Sequence, residues 1–357
     1  MSKDTFNEAN YEQAIIELFT QQLGYEYIYG PDIVRDYTEP LFLDRLQQSL
    51  LAINPALPAV AIQEAIDKIR QIDTGSLVQR NEVFTDYLQN GVDVSYFDGK
   101  EQHSACVRLI DYDHPLHNNF VVANQWSIEE HSVRRADIIV FINGLPLVVM
   151  ELKSPSRTET NVSEAYAQLR NYMQEIPSLF VYNAFCVMSD LVTSKAGTIT
   201  SGEDRFMEWK TVDGQTEDNH FANFHVLFCG MFEQERLIEI LRDFICFSKE
   251  EKQSAKILAG YHQFYAVRKA ITSVKEATTT NGKGGVFWHT QGSGKSLSMV
   301  FFAKCLQRAL SSPTIVVITD RTDLDNQLFG QFSKCADFLR QVPVQAKSRK
   351  HLSELLD

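Results

Sequence analysis

The chain has 357 residues, 44% of them hydrophobic and 22% charged, with a formal net charge of -12. Such a composition excludes long disorder and fibrous repeats, and the length predicts two domains, or one large and one partial. The acidic balance argues against a protein that coats nucleic acid by itself, while leaving room for a local basic channel or for DNA delivered by a partner.

The first residues, MSKDTFNEANYEQ, are polar and lack the apolar core of a signal peptide, and the apolar run over 138–150 is too short to cross a bilayer. No membrane segment is predicted, and the protein is expected in the cytoplasm. Six cysteines (106, 186, 229, 246, 305 and 335) are scattered without a CxxC pair, which suits reduced thiols better than a zinc or disulfide framework.

In chain order, 5–23 carries Tyr11, Ala14, Ile15, Leu18 and Phe19 on one helical face and stops at Gly24. Further helices are predicted over 40–90, with PALP as a break. From 92 to 153 the pattern turns to strands: VDVSYF, SACVRLIDY, NNFVVANQWSI, ADIIVFI and LPLVVMEL. A helix over 162–175, a strand FVYNAFCVMS, a polar loop from Ala196 and helical pattern over 232–276 follow. Strands embraced by helices predict an α/β domain. After the polar stretch KEATTTNGKGG come a predicted strand VFWH, a glycine loop, a helix and a strand TIVVITD, the opening unit of a parallel nucleotide-binding sheet.

That loop is HTQGSGKS, close to GxxxxGK[ST]. In this pattern glycines let backbone N–H groups converge on phosphate, the lysine reaches the terminal phosphates, and the hydroxyl binds magnesium. Gly292, Gly294, Lys295 and Ser296 fill these roles, with Thr290 and Ser293 completing the ATP loop and Ser296 as an Mg2+ ligand. His289 stands where the first glycine is usual.

The second constellation is RRADIIVFINGLPLVVMELKSP, over 134–155. Asp137 opens one apolar strand, Glu151 and Lys153 close the next, and Asn143-Gly144 between them is a hairpin signal. Two carboxylates can hold Mg2+, and a lysine beside them can orient water and stabilise developing charge on phosphorus. A strict two-residue loop would pair Ile142 with Leu145 and Asp137 with Met150, leaving Glu151 on the opposite face. A shared metal therefore requires an odd-length loop or a bulge. A buried hairpin whose ends are solubilised by charge is the other reading of these residues.

Taken together, RRADIIVFINGLPLVVMELKSP, AYAQLRNYM, YHQFYAVRKAI, GGVFWHTQGSGKSLSMVFFAK and TIVVITDRTDLDNQLF resemble, in that order, the N-terminal part of the restriction (motor-nuclease) subunit of type I restriction-modification enzymes. The resemblance implies a PD-(D/E)xK nuclease domain over 1–250, followed over 251–357 by an incomplete RecA-like lobe of a superfamily 2 helicase. It assigns Asp137, Glu151 and Lys153 to the nuclease triad, with Ala136 in place of the usual proline, and Gln168 and Tyr172 to the QxxxY element. Glu12 is the candidate acid on the first helix, with Glu8 and Glu17 competing. Gln263 corresponds to an adenine-reading glutamine, and Asp320 and Arg321 to a motif that touches the translocated DNA strand.

The implied activity is ATP-driven translocation and Mg2+-dependent cleavage of unmodified double-stranded DNA, in complex with methylation and specificity subunits. Downstream of TIVVITDRTDLDNQLF no Walker B motif and no second-lobe arginines appear, so a motor cut within its first lobe is expected. An ATP-binding protein with a structural D…ExK, and an inactive decoy that occupies the partner subunits, are the alternatives.

Overall fold

The computed structural model describes residues 8–153, 162–190, 192–217, 224–311 and 313–356. Two compact units divide the chain: Met1–Ile245 with Lys256–Tyr261, and Cys246–Ala255 with His262–Asp357.

The first unit opens with α1 (Glu8–Gln21), ended by Gly24 at φ +74°, and β1 (Glu26–Tyr29). Three amphipathic helices follow, α2 (Leu43–Ile53), α3 (Ala59–Arg70) and α4 (Leu77–Asn90). Helix α4 starts at a capping box in which the Ser76 hydroxyl accepts from Gln79 N–H and the Gln79 side chain accepts from Ser76 N–H. A separate hairpin pairs β2 (Val92–Phe97) with β3 (Gln102–Val107). The main sheet is then built by β4 (Phe120–Glu129), β5 (Val133–Ile142) and β6 (Leu145–Leu152). After α5 (Val162–Glu175) and α6 (Pro177–Val181) come β7 (Phe185–Ser189), β8 (Ser194–Gly197) and β9 (Met207–Glu208), and then α7 (Phe224–Phe232) and α8 (Gln234–Asp243).

Seven strands lie in the order β1-β4-β5-β6-β7-β8-β9. Pairing is parallel for β1/β4 and β6/β7 and antiparallel elsewhere, so the sheet is mixed. All eight residues of β6 are buried, as expected of a central strand covered on both faces. Each fully buried aliphatic side chain there contributes about 1.5–3 kcal/mol.

One buried polar knot ties this core together. Asn81 Nδ2 donates to the carbonyls of Phe180, Val181 and Asn183, while the buried Lys256 amine donates to Asn81 Oδ1 (2.9 Å) and Asn183 O (2.7 Å). Burial lowers the Lys256 pKa to about 7. A lysine depressed from about 10.4 when unfolded binds fewer protons folded than unfolded between those values, so its contribution to stability grows as pH rises from about 7 towards 10. The thermal midpoint of the wild type relative to Lys256→Met is therefore expected to climb between pH 6.5 and 9, and a pH-independent difference would refute a titrating Lys256.

In the second unit, α9 (Tyr261–Thr278) leads by way of the glycine loop to α10 (Lys295–Ala309) and α11 (Thr322–Lys334). The strands predicted at VFWH and TIVVITD do not form. Residues 286–289 and 314–320 make no ladder among the described residues, and Val286, Trp288 and Ile318 are 97%, 78% and 84% exposed. A β-branched run becomes a strand only against a neighbour that completes its hydrogen bonds and covers its faces, and no strand pairs with these two among the described residues. Two other expectations need correction. The strand expected over 180–189 begins only at Phe185 because α6 takes the preceding residues, and the helical pattern over 232–276 is broken by short strands β10 (Ile245–Ser248) and β11 (Ala255–Leu258). No described helix is long and apolar enough to cross a membrane, and none of the six cysteines forms a disulfide.

Candidate functional site

The hairpin turn is the two-residue Asn143-Gly144, with both residues left-handed (φ +53° and +80°), and Ile142 opposes Leu145. The register then shifts. Phe141 opposes Pro146 but Val140 opposes Val148, so Leu147 is an extra residue in β6. Ala184 N–H, just before β7, holds this bulge by donating to Leu147 O at 2.7 Å. Beyond it Ile138 opposes Met150, and the next residues along, Asp137 and Glu151, fall opposite each other on one face. The condition that the sequence imposed on a shared metal is met by the bulge, with the short turn kept.

Asp137 Oδ2 accepts the Leu152 N–H at 2.8 Å. The Lys153 ammonium donates to Glu151 Oε1 (2.6 Å) and to Leu152 O (3.1 Å), while Lys153 N–H is fixed by Ser189 O (2.9 Å). Glu151 is 3% exposed, and its Oε2 is buried without a hydrogen bond of ordinary geometry among the described residues, the neighbouring Tyr172 hydroxyl being turned to Arg135 O. Burial is the main influence on Asp137, holding its carboxyl well above the usual range; the Glu151 and Glu8 charges add to it, against Leu152 N–H and Lys153. Burial also raises Glu151, with Lys153 opposing. For Lys153, burial lowers the pKa but the Glu151 and Asp137 carboxylates outweigh it, so the amine is held above its ordinary value and stays an ammonium.

Helix α5 supplies Gln168 and Tyr172, one turn apart. Tyr172 is buried, its phenol raised by burial and by Glu151, and its hydroxyl donates to Arg135 O at 3.0 Å. With Ser127, Val133, Arg134 and Arg135 the pair lines an open cleft of about 400 Å³. Arg134 is tied to Glu175, whereas the Arg135 side chain is exposed.

On α1 the carboxylates part company. Glu12 is bound by Asn124 Nδ2 (2.5 Å) and Gln125 Nε2 (2.8 Å), the latter on a residue with left-handed backbone (φ +54°) opposite Asp137 in β4. Glu8 is the α1 acid whose charge acts on Asp137, Glu151 and Lys153 together. Tyr11, three residues on, aims the same helix face at this end of the sheet through its hydroxyl contact with Ser189 Oγ at 2.6 Å. Glu17 is held along the helix by Gln13. Of the α1 acids, Glu8 is the one whose charge figures among the main influences on all three triad residues.

Oxygen donors suit Mg2+, and an anionic oxygen buried without a partner is what a bound cation would satisfy, so these residues fit the metal. Asp137 and Glu151 would hold it.

In the second unit, Gly292 (φ +83°) and Gly294 (φ +76°) take backbone conformations that glycine adopts freely, and Gly294 caps the 15-residue α10. Its N-terminus, with Ser296 in the first turn, is suited to an anion. The Lys295 ammonium is folded back onto the carbonyls of His289 (3.0 Å) and Thr290 (2.9 Å), and Ser293 Oγ donates to Thr290 O. Gln263 is buried and donates to Gly294 O at 3.1 Å, so its amide braces the loop. Asp320 and Arg321 are exposed just before α11, with Arg321 paired to Asp323.

A mixed α/β unit carrying an acid–acid–lysine hairpin, followed in the chain by a phosphate-loop segment, defines a nuclease-like region joined to an ATPase segment. Comparison with known proteins agrees. The profile of the family described as Type I restriction enzyme R protein N terminus matches residues 5–205, and that of SWI2/SNF2 ATPase matches 262–357. The Haemophilus influenzae type I restriction enzyme HindI endonuclease subunit is 39% identical over 98% of this chain and 35% of its own length. A Methanocaldococcus jannaschii protein, the candidate type I restriction enzyme MjaIXP endonuclease subunit, is 33% identical over 94% of this chain and 34% of its own length. The chain belongs to the type I restriction enzyme R protein family. It spans about a third of the length of these relatives.

Proposed function

We propose that this chain carries the endonuclease site, of PD-(D/E)xK type, and the first ATP-binding elements, of RecA-like type, of a type I restriction endonuclease subunit. It acts on unmodified double-stranded DNA together with methylation and specificity subunits. The observation that carries this reading is the Leu147 bulge, which turns Asp137 and Glu151 to one face beside Lys153.

Held by Asp137 and Glu151, Mg2+ would supply charge stabilisation at the phosphate and lower the pKa of water. Asp137 and Glu151 position the cation. The Lys153 ammonium, already protonated, serves as donor and counter-charge to the phosphate oxygens rather than as the base. Water oxygen bonds to phosphorus as one P–O ester bond breaks, the water proton passes to solvent, and the leaving oxygen takes a proton in return. Arg135, exposed on the rim of the cleft, suits a backbone phosphate contact, and Gln168 faces the same cleft. On this reading Lys295, Ser296 and the loop from Thr290 to Gly294 would receive ATP and its Mg2+, and Asp320 and Arg321 would contact the translocated DNA strand.

The test is Lys153→Ala in the subunit assembled with its methylation and specificity partners. DNA cleavage should fall by about 10²-fold while DNA-stimulated ATP hydrolysis is kept. Unchanged cleavage would instead assign the charged hairpin a structural role and leave the chain an ATP-binding protein.

A further inference from the structure

The loop between β3 and β4 contains DYDHPLH, and it gathers Asp111, His114 and His117 around one point. Asp111 is 4% exposed, whereas the two imidazoles are open to solvent. The Asp111 oxygens have separate tasks. Oδ1 accepts the backbone N–H groups of Asp113 and His114, both at 3.1 Å, and has Arg108 at 3.7 Å. Oδ2 faces the Nδ1 atoms of His114 at 3.6 Å and His117 at 3.5 Å.

Those two distances exceed an ordinary N–H···O hydrogen bond, which ends near 3.2 Å. They match the edge of a tetrahedral coordination sphere instead: bonds of about 2.0–2.1 Å to a common ion set ligand atoms about 3.4 Å apart. The three ligand atoms all lie within 4.8 Å of one another, and the rings are near parallel with centroids 4.9 Å apart, so a small rotation of two exposed imidazoles closes the set.

The loop is also held rigidly. Asp111 N–H donates to Asn118 Oδ1 (2.8 Å), Asn118 Nδ2 returns to the carbonyls of Asp111 and Pro115 (both 2.8 Å), and the buried Asn143 of the hairpin turn donates to Asn118 Oδ1 (2.7 Å). A ligand carboxylate pinned through its second oxygen and its backbone is how metal-binding groups are oriented in advance.

We propose that Asp111, His114 and His117 form a site for a divalent transition-metal ion of the Zn2+ class, with one coordination position open to solvent. Two imidazole nitrogens and one carboxylate oxygen select such an ion over Mg2+, which prefers oxygen ligands and octahedral geometry. The site is independent of the Asp137–Glu151 pair and of the function assigned to it.

The probe is Co2+, added to the full chain in excess Mg2+ to occupy oxygen-ligand sites, with visible absorption as the readout. One equivalent should bind with the intense bands of a four-coordinate ion. His114→Ala and His117→Ala should each weaken binding by about 100-fold or more, beyond what losing a mere supporting partner costs. His103→Ala, whose imidazole lies beside Asp98 and Glu101 outside this cluster, should change nothing. Because His114 and His117 are exposed, their variants keep the fold. Absence of a saturable band, or its persistence in the His114→Ala/His117→Ala double variant, would overturn the proposal.

Discussion

Asp137→Asn is expected to reduce DNA cleavage by the assembled enzyme about 10³-fold or more, and at the same time to stabilise the metal-free protein. The first effect follows from losing one of two anionic oxygen ligands, since a bound cation is worth several kcal/mol of charge stabilisation in the transition state. The second follows from the electrostatics. Burial and Glu151 hold the Asp137 carboxyl well above its usual range, so its ionisation works against the fold. A carboxyl raised on folding contributes stability below its unfolded pKa, near 3.9, and loses it as pH rises through the folded value. Asparagine is neutral throughout and keeps an oxygen for the Leu152 N–H. The variant's thermal midpoint should therefore exceed that of the metal-free wild type by an amount that grows from pH 4 upwards, each kcal/mol being worth about 2–4 °C. Adding Mg2+ should narrow the gap, because only the wild type gains from binding. A variant less stable than the wild type at neutral pH without metal would contradict the assigned charge balance.

Gly144→Ala should produce the largest loss of stability for a single methyl group. The residue sits at φ +80°, and a Cβ there would lie 2.5 Å from Leu46 N and 2.6 Å from Phe42 O, both backbone atoms of the segment that opens α2. Phe42 N–H donates to Gly144 O at 2.9 Å, so relief of the clash breaks this contact too. Backbone strain and overpacking together cost about 2–4 kcal/mol, or roughly 10 °C in thermal midpoint. Gly99 provides the comparison: its φ is +97°, but an added Cβ meets nothing within 4 Å. Gly99→Ala should cost only about 1 kcal/mol. Equal losses for the two would show that the packing of the turn on α2 is unimportant.

Much of this arrangement was legible in the residues. The apolar spacing of α1 and the helices over 40–90 and 162–175 were readable from the residues, and Asn-Gly marks the turn because both positions need positive φ. The bulge was legible only as a requirement. LPLVVM is apolar throughout, and a strand buried on both faces has no alternation from which a one-residue slip can be read. Glu8 and Glu12 lie one turn apart, and which of them turns towards the hairpin depends on how α1 docks, as through Tyr11 on Ser189, a contact 178 residues distant in sequence. At 286–289 and 314–320 the apolar runs are present, but strand formation depends on neighbours that local pattern does not encode. The Asp111, His114 and His117 cluster lies in a loop with no periodicity, where the Asn118 and Asn143 contacts and the hold of Asp111 on the Asp113 and His114 N–H groups bring the side chains together.

The most direct measurement of the central claim, that Asp137 and Glu151 jointly hold Mg2+, is calorimetric titration of Mg2+ into the protein in two buffers of different ionisation enthalpy. Burial keeps both carboxyls raised, so binding should release protons and the apparent heat should depend on the buffer. Glu151→Gln should abolish both the binding and the buffer dependence. Binding that survives in Glu151→Gln with unchanged affinity and proton release would contradict the account.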